Sequence, residues 1–237
     1  MKKYLLYTLP LMVVGTLFGA CSDDEELTDW HLTYYPVFEI QGEAFVESPI
    51  GSTYIDHGCK ATLNGEDITA QIKTTGLDAV DNQKPGLYPV VYSYTNADGI
   101  TQSVSRTVAV CDPSITTDLS GEYITQSGTL RATKKGDVVF PNYKVSVEKK
   151  ASGLFYVSDL LGGYYAQFKA PQVGEDAAMK GYVLLKSDGT ITALSAHVDY
   201  WGDSYNAFSD SSYDADTGIL RWTVNYADTD FIIILKK

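Results

Sequence analysis

The sequence predicts an all-β protein, an N-terminal β-sandwich followed by a small antiparallel β-barrel, behind an export leader. Three observations carry this. Apolar residues alternate with polar ones over most of the chain, and few stretches keep a helical period. Turn residues recur at about ten-residue intervals, the spacing of sandwiches and barrels. A short polar stretch, residues 113–118, divides the alternating pattern into two blocks.

The leader comes first. Lys2 and Lys3 precede an almost wholly apolar run, residues 4–20, that ends in Gly19-Ala20. A basic start, an apolar middle and small residues before a cut mark a secretory signal peptide. As a spanning helix the run is marginal, because about 20 apolar residues are needed and Pro10 interrupts it. The small residues before Cys21 resemble the lipobox of bacterial lipoproteins, with Phe18 where leucine is usual and Leu17 beside it. That resemblance implies cleavage at Cys21 and lipidation of its thiol. The following Ser22, Asp23, Asp24, Glu25 and Glu26 resemble the surface-export signal of Bacteroidota-type lipoproteins, and also suit a solvated spacer. Residues 21–33 are thus expected to be an acidic tether at the outer membrane, facing the exterior.

Removing residues 1–20 leaves 217 residues with 16 basic and 30 acidic side chains, a formal charge of −14. Such a surface repels nucleic acid. Apolar content of 44% suffices for real cores. The chain has 18 tyrosines, which suit both strands and contact surfaces. Cys59 and Cys111 remain after lipidation. An exported chain can join them by a disulfide or bury them as two small apolar residues, and spacing does not decide between these.

In the first block, residues 34–112, Tyr88, Val90, Tyr92 and Tyr94 share one strand face, Asp98-Gly99 makes a tight turn, and Val104, Arg106, Val108 and Val110 return on one face. Asn64-Gly65 marks another turn. Asp112-Pro113 ends the block, since the residue before proline is pushed to extended geometry. In the second block, residues 119–237, "YVLLKSDGTITAL" at 182–194 is a hairpin around Asp188-Gly189. "GILRWTVNY" at 218–226 alternates Leu220, Trp222, Val224 and Tyr226 with Arg221, Thr223 and Asn225. "FIIIL" at 231–235 is an apolar run suited to a strand covered on both sides, here expected to close a barrel.

Three resemblances sharpen these blocks. "GSTYIDHGCKAT" at 51–62, "NGEDIT" at 64–69, "VDNQKPGLYPVVYSYTNADG" at 80–99 and "SRTVAV" at 105–110 resemble bacterial Ig-like domains of exported proteins. "DLSGEY" at 118–123 resembles the opening of calycin-like, lipocalin-like barrels. "VSDLLGGYYAQF" at 157–168 and "YDADTGILRWTVNYADTDFIIIL" at 213–235 are similar to a family of Bacteroidota surface lipoproteins that pairs an Ig-like module with a small β domain. Its members resemble accessory proteins of glycan-uptake loci. The Ig-like resemblance transfers no catalytic residue, the family resemblance gives no activity, and a non-enzymatic protein without a cofactor is expected.

Chemistry-bearing patterns are sparse. Asp210, Asp214 and Asp216 around "DADTG" offer the hard oxygens calcium prefers, but the glutamate of an EF-hand's twelfth position is missing, and a polar hairpin turn is the plainer reading. His31, His57 and His197 are scattered, whereas zinc needs three or four convergent ligands, so no metal is expected. No nucleophile elbow and no phosphate-cradling glycine loop occurs. Asp199 and Asp203 could be read as a glycosidase pair, but an acidic chain produces such pairs by chance. The aromatics say more. "VDYWGDSYNAF" at 198–208 sets Tyr200, Trp201 and Tyr205 among Asp and Asn, and "GGYYAQF" at 162–168 offers Tyr164, Tyr165 and Gln167. Aromatic faces beside planar polar groups suit sugars, whose CH groups stack on rings while hydroxyls take hydrogen bonds; core packing is the competing reading. The expected function is an accessory glycan-binding lipoprotein of a polysaccharide-uptake system. The alternatives are an assembly subunit docking to an outer-membrane partner through the Ig-like module, and a barrel carrying an apolar ligand.

Overall fold

The computed structural model describes residues 32–237. The leader, Cys21, the acidic run 22–26 and His31 lie outside the described residues. In chain order the strands of the N-terminal part are β1 (Val37–Ile40), β2 (Phe45–Pro49), β3 (Cys59–Leu63), β4 (Glu66–Asp67), β5 (Lys73–Thr75), β6 (Gly86–Thr95) and β7 (Thr101–Cys111). They form a three-stranded sheet, β1-β3-β4, and a four-stranded sheet, β2-β7-β6-β5. All pairs are antiparallel except β2 with β7, which is parallel.

The β6–β7 hairpin forms where Asp98-Gly99 predicts it. Asn96 Oδ1 accepts from the Asp98 and Ile100 N–H groups at 3.1 and 2.9 Å, and Gly99 takes a φ of +77°. Such a side-chain bond into the following backbone pre-forms a turn. Register then follows by alternation: Tyr92 faces Val104, Val90 faces Arg106 and Tyr88 faces Val108. The buried core between the sheets is small, consisting of Cys59, Val90, Tyr92, Val108 and Val110.

Arg106 is fully buried at that core's edge. Its guanidinium donates to the Glu43 carbonyl at 3.0 Å, to the Gln41 carbonyl, to the Tyr54 and Tyr92 hydroxyls at 3.2 and 3.3 Å, and to Asp56. Tyr92 also donates to Asp56 at 2.6 Å. Burial by itself raises the Asp56 carboxyl, but hydrogen bonds from Tyr92, Tyr54 and the Gly58 backbone, with the Arg106 charge, hold it below its ordinary value. A buried charge of this kind persists only when fully paired.

The C-terminal part contains β8 (Gly121–Thr125), β9 (Leu130–Ala132), β10 (Val138–Val139), β11 (Lys144–Ala151), β12 (Leu154–Val157), β13 (Met179–Leu185), β14 (Ile191–Val198), β15 (Ala207–Asp214), β16 (Ile219–Tyr226) and β17 (Thr229–Lys236). They make one ten-stranded sheet. Its inner face carries Trp222, Phe155, Phe231 and Tyr123, which share one core with Leu160 and Leu161 of the loop after β12, all essentially inaccessible.

The calycin-like barrel expected from the sequence does not close. The sheet runs β14-β13-β12-β11-β8-β17-β16-β15, and its two ends, β14 and β15, share no ladder. Along that seam, Ser211 Oγ bonds the backbone N–H and carbonyl of Ile191, and the Tyr213 N–H donates to the Gly189 carbonyl at 2.8 Å. A register shift between Ser209 and Ser212, with Asp210 at a φ of +48°, bends β15 there. Such a bulge disrupts the local ladder. The "FIIIL" strand is buried on one face, at Phe231, Ile233 and Leu235, and only half-buried on the other, at Ile232 and Ile234. It is an interior strand and not a closing one. β17 pairs with β16 along its length and with β9 and β8 on its other edge.

A third core joins the two parts. On β7, Val108 and Val110 face the sandwich, whereas Ala109 and Cys111 face the opposite way and pack with Ala151, Leu154 and Leu184. Phe45 stacks on Tyr182, with ring centroids 6.3 Å apart and planes at 16°. The Ser152 N–H donates to Glu47 Oε1 at 3.1 Å. In the expected linker, residues 113–118, Ile115 is buried against the C-terminal core.

Cys59 and Cys111 are free thiols in separate cores. They lie on opposite sides of the four-stranded sheet, so no bond joins them. Burial pushes the Cys111 thiol up to about 12, and burial also raises Cys59.

Candidate functional site

The connection from β14 to β15 holds the exposed aromatics. The Val198 N–H donates to the Asp203 carbonyl at 2.9 Å, and the Gly202 N–H returns to the Val198 carbonyl at 2.8 Å. Gly202 adopts a φ of +70°, the left-handed conformation glycine tolerates best. Simple strand alternation would put neighbours 200 and 201 on opposite faces. The tight turn lets both reach solvent, with Tyr200 59% and Trp201 42% exposed.

These two rings meet edge to face, with centroids 5.2 Å apart and planes at 88°. Trp201 in turn meets Tyr165 edge-on at 5.0 Å. Tyr165 leans on Tyr226 and Phe231, each at 6.0 Å, and on Tyr164 at 4.9 Å. The exposed pair is therefore the outer end of an aromatic chain rooted in the core, an arrangement that fixes ring orientation.

Polar bonds hold the turn from three sides. The Tyr200 N–H donates to the Asp176 carbonyl at 2.9 Å. Lys180 pairs with Asp199 at 2.8 Å, and this bond and charge lower the Asp199 carboxyl. The Tyr226 hydroxyl donates to both Asp203 carboxylate oxygens, at 2.9 and 3.1 Å. Burial, then the bond to Asp203, raises the Tyr226 phenol. Asp199 and Asp203 are thus committed to different partners.

The remaining expected residues are placed differently. Tyr164 is 2% exposed, buried among Phe140, Phe168 and Phe231. Gln167 is exposed, but its amide grips the Lys144 backbone. Nε2 donates to the carbonyl at 2.7 Å, and Oε1 accepts from the N–H at 3.1 Å. Tyr205 is half-buried; its hydroxyl reaches the Ala193 carbonyl at 3.4 Å and its ring meets Phe208. The structure therefore joins Tyr165, Tyr200 and Trp201, buries Tyr164 beneath Tyr165, and sets Tyr205 and Gln167 apart.

The acids of "DADTG" form a hairpin turn. Asp214 Oδ1 accepts from the Asp216 and Thr217 N–H groups at 2.9 and 3.2 Å. Among the described residues, no group of three or more acid, histidine or cysteine side chains could hold a metal.

Asp159 was not singled out from the sequence. Fully buried, it accepts the N–H groups of Leu161, Gly163 and Met179 at 2.8, 3.0 and 3.1 Å. It thereby ties the 158–163 loop to the start of β13. Burial pushes its carboxyl up to about 6 against the pull of those three bonds. An acid inside the apolar "VSDLLGG" stretch is the signal that marks it.

The family model for the BT2262-like C-terminal domain matches residues 112–237, and that for the bacterial surface protein Ig-like domain matches residues 38–110. The crystal structure of the lipoprotein BT2262 from Bacteroides thetaiotaomicron is 36% identical, with 86% of this chain and 100% of that one covered, at a TM-score of 0.48. Identity and coverage, not the superposition, carry that relationship. Two Clostridium perfringens ZmpB structures also match, both at a TM-score of 0.28. One, of CBM51-2 in complex with GlcNAc and INT domains, is 20% identical over 56% of this chain and 34% of that one. The other, of the M60 catalytic domain with CBM51-1 and CBM51-2, is 22% identical over 53% and 14%. At these scores neither bears on this chain's ligand. None of the curated proteins compared with the chain matches it.

Proposed function

We propose, from the premise that this chain belongs to the BT2262-like family of two-domain Bacteroidota surface lipoproteins, that it captures glycan for an uptake system. The chain is a non-enzymatic, lipid-anchored protein of the outer membrane, facing the exterior. Cys21 is the residue we assign to the anchor. A single acyl chain holds only marginally, and stable anchoring takes more; lipidation of the kind the lipobox implies supplies several. Cys21→Ala should move the protein out of the membrane fraction, and retention there would remove the assignment.

One observation supports glycan capture above the others. Tyr200 and Trp201 present two mutually perpendicular rings to solvent, held by Tyr165 beneath. Rigid exposed aromatics lose little freedom on binding and offer the face on which sugar CH groups stack. Retention of the mature chain on a panel of plant, host and microbial polysaccharides tests this. Trp201→Ala should abolish retention while costing no more than about 1 kcal/mol, because the side chain is not enclosed. A loss of about 3–5 kcal/mol would mark a core tryptophan instead, and unchanged retention would remove the platform.

A second reading, docking of the Ig-like part to an outer-membrane partner, is supported by Val37 and Ile55, which are 69% and 73% exposed there. Carriage of an apolar ligand lacks such support, since large side chains fill the inner face of the C-terminal sheet.

A further inference from the structure

We propose that a polar cleft on the outer face of the C-terminal sheet, assigned to nothing above, takes a neutral sugar unit of the same glycan chain that lies on Tyr200 and Trp201; this rests on the glycan reading of that pair. The cleft measures about 510 Å³, within the range of small-ligand sites. Its floor is made by outward residues of four neighbouring strands, with Glu122 from β8, Ser146 from β11, Tyr156 from β12 and Lys180 from β13. Its roof is the segment from Ala166 to Ala178.

The lining selects a class of ligand. Ser158 Oγ accepts the Ser146 N–H at 2.9 Å, which leaves its own proton to donate. Glu122, Glu175 and Lys144 line the cleft and form no ion pair among the described residues. Free acceptors, Glu122 and Glu175, and free donors, Lys144 and Ser158, therefore line the cleft together with the half-buried Tyr156. A sugar hydroxyl both donates and accepts, so a polyol can satisfy this lining with no charge of its own. An anion would gain Lys144 but meet three acids, Glu122, Glu175 and Asp159, while Lys180 is already paired with Asp199. An apolar ligand would strand the carboxylates without water, which is costly.

The cleft and the aromatic pair share a wall. Tyr165 supports Trp201, and the next two residues, Ala166 and Gln167, line the cleft. Asp176 holds the Tyr200 N–H, while its neighbour Glu175 lines the cleft. Lys180 lines the cleft and binds Asp199, next to Tyr200. One glycan chain crossing this wall would meet both surfaces.

The test is amide and indole NMR of the mature chain with four neutral probes, xylohexaose, cellohexaose, maltohexaose and mannohexaose, and one acidic probe, hexagalacturonate. At least one neutral probe should shift the Trp201 indole N–H together with the Ser146, Ser158, Gly174 and Lys180 amides. Tyr156→Ala should weaken that binding at least tenfold. Should that variant lose its fold, Lys144→Ala should weaken it at least threefold. Shifts confined to the Trp201 indole, or full affinity in a folded Tyr156→Ala chain, overturn the cleft and leave the platform standing. Shifts confined to the cleft overturn the platform and, with it, the shared glycan chain proposed here. Equal cleft shifts with hexagalacturonate overturn the neutral class. Silence at both places with all four neutral probes overturns both readings.

Discussion

The N-terminal and C-terminal cores keep buried charge by opposite means. In the N-terminal part only five residues make the buried apolar cluster, and beside it a full ion pair, Arg106 with Asp56, is enclosed with two tyrosine hydroxyls and two backbone carbonyls. In the C-terminal part, twenty-three buried residues form the core, and its buried carboxylate, Asp159, is held by backbone N–H groups alone. A small sandwich buries little apolar surface, so a well-connected polar network can fix its loops; here Arg106 ties residues 41, 43 and 56 to β7. A large core needs no such device and tolerates one acid only because the backbone satisfies it.

The contrast can be broken most severely from either side. Trp222→Ala should cost about 3–5 kcal/mol in the C-terminal part through the cavity it leaves, with the Leu160 carbonyl losing its indole donor as well. Asp56→Ala should cost a similar amount, about 3–5 kcal/mol, for a different reason, because it leaves a buried guanidinium uncompensated. Asp56→Asn, which keeps an acceptor, should recover part of that loss. Urea denaturation measures all three, and equal losses for Asp56→Asn and Asp56→Ala would mean the charge, not the hydrogen bonds, holds the network.

The shared core comes next. Leu184→Ala should cost about 2–4 kcal/mol, and calorimetry should show one transition in the parent chain resolving into two in the variant. We propose the division at residues 113–118 as the domain boundary. A cut between Ser114 and Thr117 should give two folded pieces that stay associated on gel filtration through Phe45, Cys111 and Leu184. Pieces that separate would show that the shared core is too weak to hold them.

Asp159 sharpens the contrast through pH. Its carboxyl is raised in the folded state to about 6, so the folded chain keeps a proton that the unfolded chain releases. Its contribution is fully present below about pH 4 and is lost as pH rises through about 6, a change of about 2–3 kcal/mol. The lowered carboxyls, Asp56 and Asp199, act in the opposite direction and below about pH 4. Asp159→Asn should therefore flatten the slope of stability between pH 4 and 6, and an unchanged slope would remove Asp159 as its source.

The smallest effect concerns the thiols. Cys59 and Cys111 should resist a thiol reagent in the folded chain and react on unfolding, since burial holds both in the unreactive protonated form. Reductant should leave the melting temperature unchanged, whereas a drop would show a disulfide.

The period-2 alternation of Tyr88 to Tyr94 and Leu220 to Tyr226 was legible because each side chain's direction follows from its own backbone. The turns at Asp98-Gly99 and Asp188-Gly189 were legible for the same local reason. The aromatic stretches could be found, but not sorted. Tyr164 and Tyr165 are neighbours of one type, and only the fold around Phe140 and Phe231 buries the first and sets the second under Trp201. Gln167 reads as a ligand group until Lys144 is brought beside it from 23 positions away.

By itself, then, the sequence determined the β class, the hairpins, the inward faces of the strands and the apolar leader before Cys21, all set by chemistry within a few residues. Tertiary structure alone decided that β14 and β15 stop short of a ladder, because closure depends on the summed twist and stagger of every strand between them. It also decided that Cys59 and Cys111 face different cores, because alternation assigns each residue a side but not the partner waiting there. The cleft, too, has no local signature, since its floor comes from four strands and its roof from a fifth segment, and only their pairing register brings those polar groups together.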